Sequence, residues 1–197
     1  MRIGVIALQG GFAEHIAMMQ RLDASTAEVR LPIQLDSLDG LIIPGGESTT
    51  IGKLMMDYGL LSPLREFAKS RAIWGTCAGA ILLARDAHRK QPLLELMDIA
   101  VHRNAFGSQV SSFEADIDID SLKHVVDTST PYRAIFIRAP VIESVGGNAK
   151  TLSTLPDGRI VAAQQGKLLA TAFHPELTCD TRFHEYFLTL ARGHAHH

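Results

Sequence analysis

Three short apolar runs, each closed by glycine and each followed by helical spacing, constrain the fold more than any other feature. They are RIGVIALQG (Arg2 to Gly10), DGLIIPGG (Asp39 to Gly46) and AIWG (Ala72 to Gly75). Runs this short and this uniformly apolar suit strands buried on both faces. After the first run, Phe12, Ile16, Met19 and Leu22 recur at helical spacing. After the second, Ser48, a candidate helix N-cap, opens a helical pattern through Ile51, Leu54 and Met55, with Gly59 near its end. LLSPLREFAKS reads as a further helix, with Pro63 tolerated in its first turn. After the third run, AGAILLARDA (Ala78 to Ala87) reads as the next helix, and AEVRL is a short strand candidate. Strand and helix in alternation predict a parallel sheet covered on both faces.

The second half changes character. In SSFEADIDID, Phe113, Ala115, Ile117 and Ile119 alternate with polar or acidic residues, as in a half-exposed strand. AIFIRAP, RIVAAQQG and LLATAF are further strand candidates, and Gly166-Lys167 between the last two suggests a hairpin. A closing helix would bury Phe183, Tyr186, Phe187 and Leu190, with Asp180 as its N-cap. The expectation is one α/β domain over residues 1–197 with an antiparallel extension, and a disordered tail over residues 193–197.

Composition excludes several roles. A chain of 197 residues can bury a core without disulfides or metals. With 19 basic against 21 acidic side chains and a net charge of -2, it carries no electrostatic footprint for nucleic acid or an anionic membrane. Two cysteines, Cys77 and Cys179, are too few for a secreted disulfide framework. The apolar run at the N-terminus is too short for a signal peptide or a membrane span, and a cytoplasmic protein is expected.

The segment GTCAG places Cys77 between Gly75 and Gly79, at the junction of a strand and a helix. This is the cysteine counterpart of a nucleophile elbow. There the helix N-terminus favours a thiolate, the form that attacks carbonyl carbon. Taken alone, the segment fits equally well a core cysteine beside packing glycines. The sequence FHPE adds His174 and Glu176 just past an apolar strand. Pro175 keeps the preceding residue extended, so both side chains can face one way. A carboxylate on one imidazole nitrogen leaves the other free to take a thiol proton. Together these residues predict a Cys77-His174-Glu176 triad. Gly45 and Gly46 in PGGEST let bare backbone approach a ligand. An N–H of Gly45 or Gly46, with that of Ala78, would make an oxyanion hole. The phosphate-loop and dinucleotide readings both fail. Five residues separate Gly46 from Gly52, Leu54 follows Lys53, and LQGGFAEH lacks the G-x-G-x-x-G spacing.

GTCAG, PGGEST and FHPE together resemble the class I glutamine amidotransferases. ALQG with the EH that follows it, RNAFG, SFEADI and FIRAP narrow the likeness to the glutaminase subunits of pyridoxal 5'-phosphate synthases, up to about Ala191. The resemblance implies a three-layer αβα fold with a mostly parallel sheet, and hydrolysis of L-glutamine without metal or cofactor. It also implies delivery of ammonia to a synthase partner. It makes Cys77 the nucleophile, His174 the general base and acid, and Glu176 its orienter. It makes Gly46, Glu47, Ser48, Arg103, Ile137 and Arg138 the glutamine contacts. The sequence departs from the family at Ser108, where a basic residue often follows RNAFG. Two rivals remain: the glutaminase of another pathway, such as imidazole glycerol phosphate synthase, and a non-catalytic regulatory subunit of the same fold. RNAFG and FIRAP speak against the first and the intact triad against the second. Cys179 has no role in this scheme and is expected to be an ordinary buried thiol.

Overall fold

The computed structural model describes residues 1–103, 112–123 and 130–193. Its first half alternates as the sequence predicts: β1 (Arg2–Ile6), α1 (Phe12–Arg21), β2 (Ser25–Val29), β3 (Gly40–Ile43), α2 (Ser48–Asp57), α3 (Leu61–Phe67), β4 (Ala72–Thr76) and α4 (Ala78–Leu83). Then follow β5 (Ala84–Asp86), β6 (Met97–His102), β7 (Ser112–Ile117), α5 (Asp120–Lys123), β8 (Tyr132–Ile137), β9 (Val141–Val145), β10 (Lys150–Thr154), β11 (Ile160–Gln165), β12 (Leu168–Thr171) and α6 (Arg182–Arg192).

The main sheet runs β2-β1-β3-β4-β12-β11-β9-β6-β5, with β10 laid against β11. From β2 through β12 every neighbour is parallel. Beyond β12 the pairs β12-β11, β11-β9 and β9-β6 are antiparallel, which is the predicted extension. Gly166 takes φ +57 in the two-residue turn between β11 and β12, as the hairpin reading requires.

The strands bury both faces because alternate residues feed two separate cores. Leu41, Ile43 and Ile73 join α2, α3 and α4 on one side. Ile42, Ala72 and Trp74 join α1 and α6 on the other. Helices on both sides of a mostly parallel sheet make the three-layer architecture expected. β7 and β8 pair with each other away from the main sheet, and Ile117, Tyr132, Ala134 and Phe136 tuck into the α1–α6 layer.

Several local expectations differ. The helix read through Ala87 stops at Leu83, because Leu94 and Leu96 N–H groups take the carbonyls of Leu82 and Leu83 and Ala84–Asp86 pairs with β6. Glu47, not Ser48, caps α2, its carboxylate accepting from Thr49 N–H and Oγ1. α6 starts one residue later than expected, from Thr181, while Asp180 still accepts the Arg182 N–H at 3.0 Å. Cys179 is exposed rather than buried, in the loop before α6. Residues 194–197 of the expected tail, Ser108, and RNAFG beyond Arg103 lie outside the described residues. Among the described residues no helix is long and apolar enough to cross a membrane.

Candidate active site

Register brings the chemistry-bearing loops to one edge. Ile43 pairs with Gly75, and Thr76 pairs with Thr171, so the ends of β3, β4 and β12 lie side by side. In a parallel sheet this carboxyl edge is where ligands bind.

Cys77 sits between β4 and α4 with φ +49 and ψ -103, its N–H donating to Thr171 C=O at 2.8 Å. A non-glycine residue held there stores strain of about 1–3 kcal/mol, which the surrounding ladder must impose. The flanking glycines are sterically required. A Cβ on Gly75 would stand 2.4 Å from the Gly79 backbone, and one on Gly79 would stand 2.0 Å from Ile43 C=O. The helix therefore packs directly on the strands, and the cysteine is the residue left on the crest of the turn.

His174 follows β12 and is anchored by its own N–H on Ile135 C=O at 2.8 Å. A 3-10 turn over Pro175–Leu177 swings Glu176 back beneath it. His174 Nδ1 donates to Glu176 Oε1 at 2.8 Å, and the ring stands close enough to the Cys77 side chain to interact with it electrostatically. Burial works against the imidazolium, but the bonds and charges of Cys77 and Glu176 outweigh it and push His174 up to about 10. Burial likewise works against ionised Glu176, and the histidines on either side, His15 and His174, hold its carboxyl below the usual carboxylate range. His15 is itself fully buried, and desolvation keeps it below the usual imidazole range. A neutral His15 contributes a dipole rather than a charge, so the ionic support of Glu176 comes from His174.

Gly45 closes over this pair. A Cβ there would stand 2.6 Å from His174 Cε1 and 3.4 Å from Cys77 Cβ. Its carbonyl accepts from Gly11 N–H at 3.1 Å, and the next N–H but one, of Glu47, donates to Gln9 Oε1 at 2.8 Å. The β1–α1 turn thus sets the orientation of the glycine loop.

Beside Cys77 opens a cleft of about 330 Å³, into which Gly46, Glu47, Ser48, Ala78, Arg103, Ile137 and Arg138 all project. The predicted set is therefore brought together, with one twist. Arg103 forms a bidentate pair with Glu47, at 2.9 and 3.0 Å. Burial works to raise the Glu47 carboxyl, but Thr49 and Arg103 together outweigh it and hold it below its ordinary range. Arg138, also lining the cleft, adopts φ +44, strained as Cys77 is.

Sequence reasoning missed Gln9, which lines the cleft, and the buried group His15, Thr76 and His184 behind the triad. Gln9 and His15 stand within ALQG and EH, so the signal was present without a chemical reading.

Comparison with known proteins fits this geometry. Residues 5–192 match the SNO glutamine amidotransferase family. The chain is 56% identical to pyridoxal 5'-phosphate synthase subunit PdxT of Herpetosiphon aurantiacus, over 96% of this chain and 100% of that one. It is 53% identical to the subunit of the same name from Deinococcus radiodurans, over the full length of both. A solved structure described as a glutamine amidotransferase superposes with a TM-score of 0.89 at 45% identity, covering 96% of this chain and 98% of the other. PurLQS from Thermotoga maritima shares the fold at a TM-score of 0.73 and 13% identity, over 95% of this chain and 97% of that one.

Proposed function

The chain belongs to the SNO glutamine amidotransferase family, and from that premise we propose that it hydrolyses L-glutamine to L-glutamate and ammonia for a pyridoxal 5'-phosphate synthase. The observation that carries the reading is the contact series Cys77, His174, Glu176 beside a cleft of amino-acid size. The Cys77 thiolate attacks the side-chain amide carbon, and the carbonyl electron pair moves onto oxygen. Backbone N–H groups of Ala78 and of Gly45 or Gly46 take that oxyanion; one such donor is worth about 3 kcal/mol of barrier. His174, as imidazolium, gives its proton to the departing nitrogen, and the C–N bond breaks to leave a thioester and ammonia. Neutral His174 then takes a proton from water as the hydroxyl attacks the thioester, and the Cys77 thiolate leaves. Glu176 stabilises the imidazolium at both stages.

The Arg103–Glu47 pair suits an amino-acid substrate. A free α-amino acid carries the same two charges on adjacent groups. Its carboxylate can take the Arg103 fork while Glu47 turns to its ammonium, so a pre-formed ion pair is exchanged for two with the ligand. Gly46 and Ser48 frame one wall of this subsite, and Ile137 and Arg138 the other.

The domain spans residues 1–197 in this reading, its partner is the synthase subunit, and neither nucleic acid nor membrane enters. The nucleophile has to stay a thiol, which suits the reducing cytoplasm as its location. Glutamate production should be measured for the chain alone and with the synthase subunit, alongside Cys77→Ala. Turnover that rises with the synthase and vanishes in Cys77→Ala is expected. Full activity in Cys77→Ala would end the reading.

A further inference from the structure

Behind the triad, on the side away from the cleft, lies a second layer of buried polar groups that the reaction above does not use. His15 on α1, His184 on α6 and Thr76 on β4 are each inaccessible to solvent. His15 Nδ1 lies 3.1 Å from His184 Nε2. His15 Nε2 lies 3.1 Å from Thr76 Oγ1 and 3.4 Å from Glu176 Oε2. Trp74 packs edge-on against both imidazoles, at 5.6 and 4.9 Å between ring centroids. Glu176 Oε2 and His184 Nδ1 are buried without a hydrogen bond of good geometry.

These contacts fix the tautomers. One nitrogen of the His15–His184 contact must donate. If His15 Nδ1 donated, His184 would carry its proton on Nδ1, a buried N–H with no partner. His15 Nε2 would then turn a lone pair toward the Glu176 carboxylate. If His184 Nε2 donates, only a lone pair is orphaned, which costs less than an orphaned N–H. His15 Nε2–H then faces Glu176 Oε2 and Thr76 Oγ1 together. The second arrangement wins on both counts, at the cost that the Thr76 hydroxyl accepts from His15 Nε2 instead of donating to it. It gives a one-way order, with His184 donating to His15, His15 Nε2–H donating to Thr76 Oγ1 while its positive end lies 3.4 Å from Glu176 Oε2, and His174 donating to the other oxygen of Glu176.

We propose that His15 is a positioning residue for the reaction: its Nε2–H, held by the His184 ring behind it, fixes the outer oxygen of Glu176 so that the inner oxygen stays aligned on His174. The inference rests on the triad reading. A carboxylate has two oxygens and a free torsion. Held at one oxygen alone, it can rotate and let the imidazole tilt away from Cys77. Held at both, it keeps the ring in place through two opposite proton transfers. His15 does not reach the cleft, so its effect falls on turnover rather than on glutamine binding. The charged and titratable groups facing His15 are Glu14 on its own helix, Glu176 on the 3-10 turn, His174 just before it, and His184 on α6; Thr76 and Trp74 on β4 are uncharged.

The test compares His15→Gln with His15→Asn in the complex with the synthase subunit. Glutamine can place an amide N–H where Nε2 stood; asparagine is too short to reach. His15→Asn should lower kcat roughly 10- to 100-fold with KM within about twofold, as loss of a donor to a buried charge requires. The acid limb of its kcat/KM profile should move to higher pH, because a Glu176 without its donor takes up a proton more readily. His15→Gln should recover most of the turnover and return the limb. Equal losses in both variants, a loss confined to KM, or an unmoved pH profile would overturn the role. Histidine-labelled wild type should show His15 as the Nε2–H tautomer in 15N–1H spectra, and an Nδ1–H tautomer would overturn it without any assay. Activity surviving in Cys77→Ala would overturn the triad reading itself, an outcome separate from any of these.

Discussion

Replacing Gly45 by alanine adds one methyl group at the point where the glycine loop covers Cys77 and His174. Gly45 does not require positive φ, so its backbone accepts a side chain, and the effect comes from contact alone. The new Cβ would lie 2.6 Å from His174 Cε1 and 3.1 Å from Nδ1. To regain an ordinary separation of 3.4 Å the ring must retreat by about 0.8 Å. Neither neighbour yields easily. The His174 ring is held by Glu176 at 2.8 Å, and the loop is held by the bond from Gly11 N–H to Gly45 C=O at 3.1 Å. A misplacement near 1 Å of a group that must transfer protons costs on the order of 10²-fold in rate. Overpacking costs about 1–3 kcal/mol of stability, which a folded domain of this size tolerates. The assay is steady-state glutamate release with the synthase subunit present, with circular dichroism and a melting curve to confirm folding. The expected result is a folded protein with kcat about 10²-fold down and KM little changed. Turnover within about twofold of wild type in a folded Gly45→Ala protein would show that the loop does not press on the ring, and would refute the reasoning.

A glutamine-analogue diazo-ketone should label Cys77 and spare Cys179, whereas iodoacetamide should also modify exposed Cys179; analogue label on Cys179, read by peptide mass spectrometry, would contradict the assignment. Glu176→Gln should keep the fold and lower turnover by on the order of 10²–10⁴, since an amide cannot support the imidazolium; unchanged turnover would mean that something else orients His174. Arg103→Gln should raise KM for glutamine roughly 10- to 100-fold with kcat little affected, and a loss confined to kcat would exclude it from substrate recognition. His15 and His184 are both kept below 6.5 by burial, so the unfolded chain gains protons first and the melting temperature should fall as pH drops below 6.5. His174 acts in the opposite sense, its contribution complete below 6.5 and lost as pH rises toward about 10, so only the range below 6.5 isolates the buried pair, and a melting temperature that climbs from pH 6.5 to 5.5 would contradict it.

What the sequence made legible is what is local along the chain. Gly75 and Gly79 announced a tight elbow, and each proves to be a position where a Cβ would strike backbone. His174 and Glu176 are two residues apart, and the proline between them leaves little doubt about their relative direction. Buried strands read well because both of their faces are apolar, as in Ala72–Thr76. Strands β6, β9 and β10 went unread because each mixes polar residues into a run too short for a clear period, as Asp98 does in MDIAVH. The boundary at Leu83 was misplaced for a related reason. Nothing in LLARDA says that Leu94 and Leu96 will return to take the carbonyls that would have continued the helix.

The positioning layer was illegible for a deeper reason. His15 and His184 stand 169 positions apart, one on each of the two helices that cover the same sheet face. On a helical wheel each looks like a polar residue interrupting an apolar stripe, and the simplest reading turns it outward or pairs it with a neighbour. The period that locates Phe183 and Phe187 puts His184 beside them in the core, and burying an imidazole there is costly unless another polar group meets it. Only the packing of α1 against α6 over Trp74 supplies that partner. The series from His184 to Cys77 thus draws on residues from α6, α1, the 3-10 turn and the elbow, four segments with no shared motif. Cys77 and His174 are written in short patterns because backbone geometry confines them. His15 and His184 are confined only by tertiary contact, so under the proposed role a change in the packing of α1 or α6, far from the cleft in sequence, would reach Cys77 through Glu176.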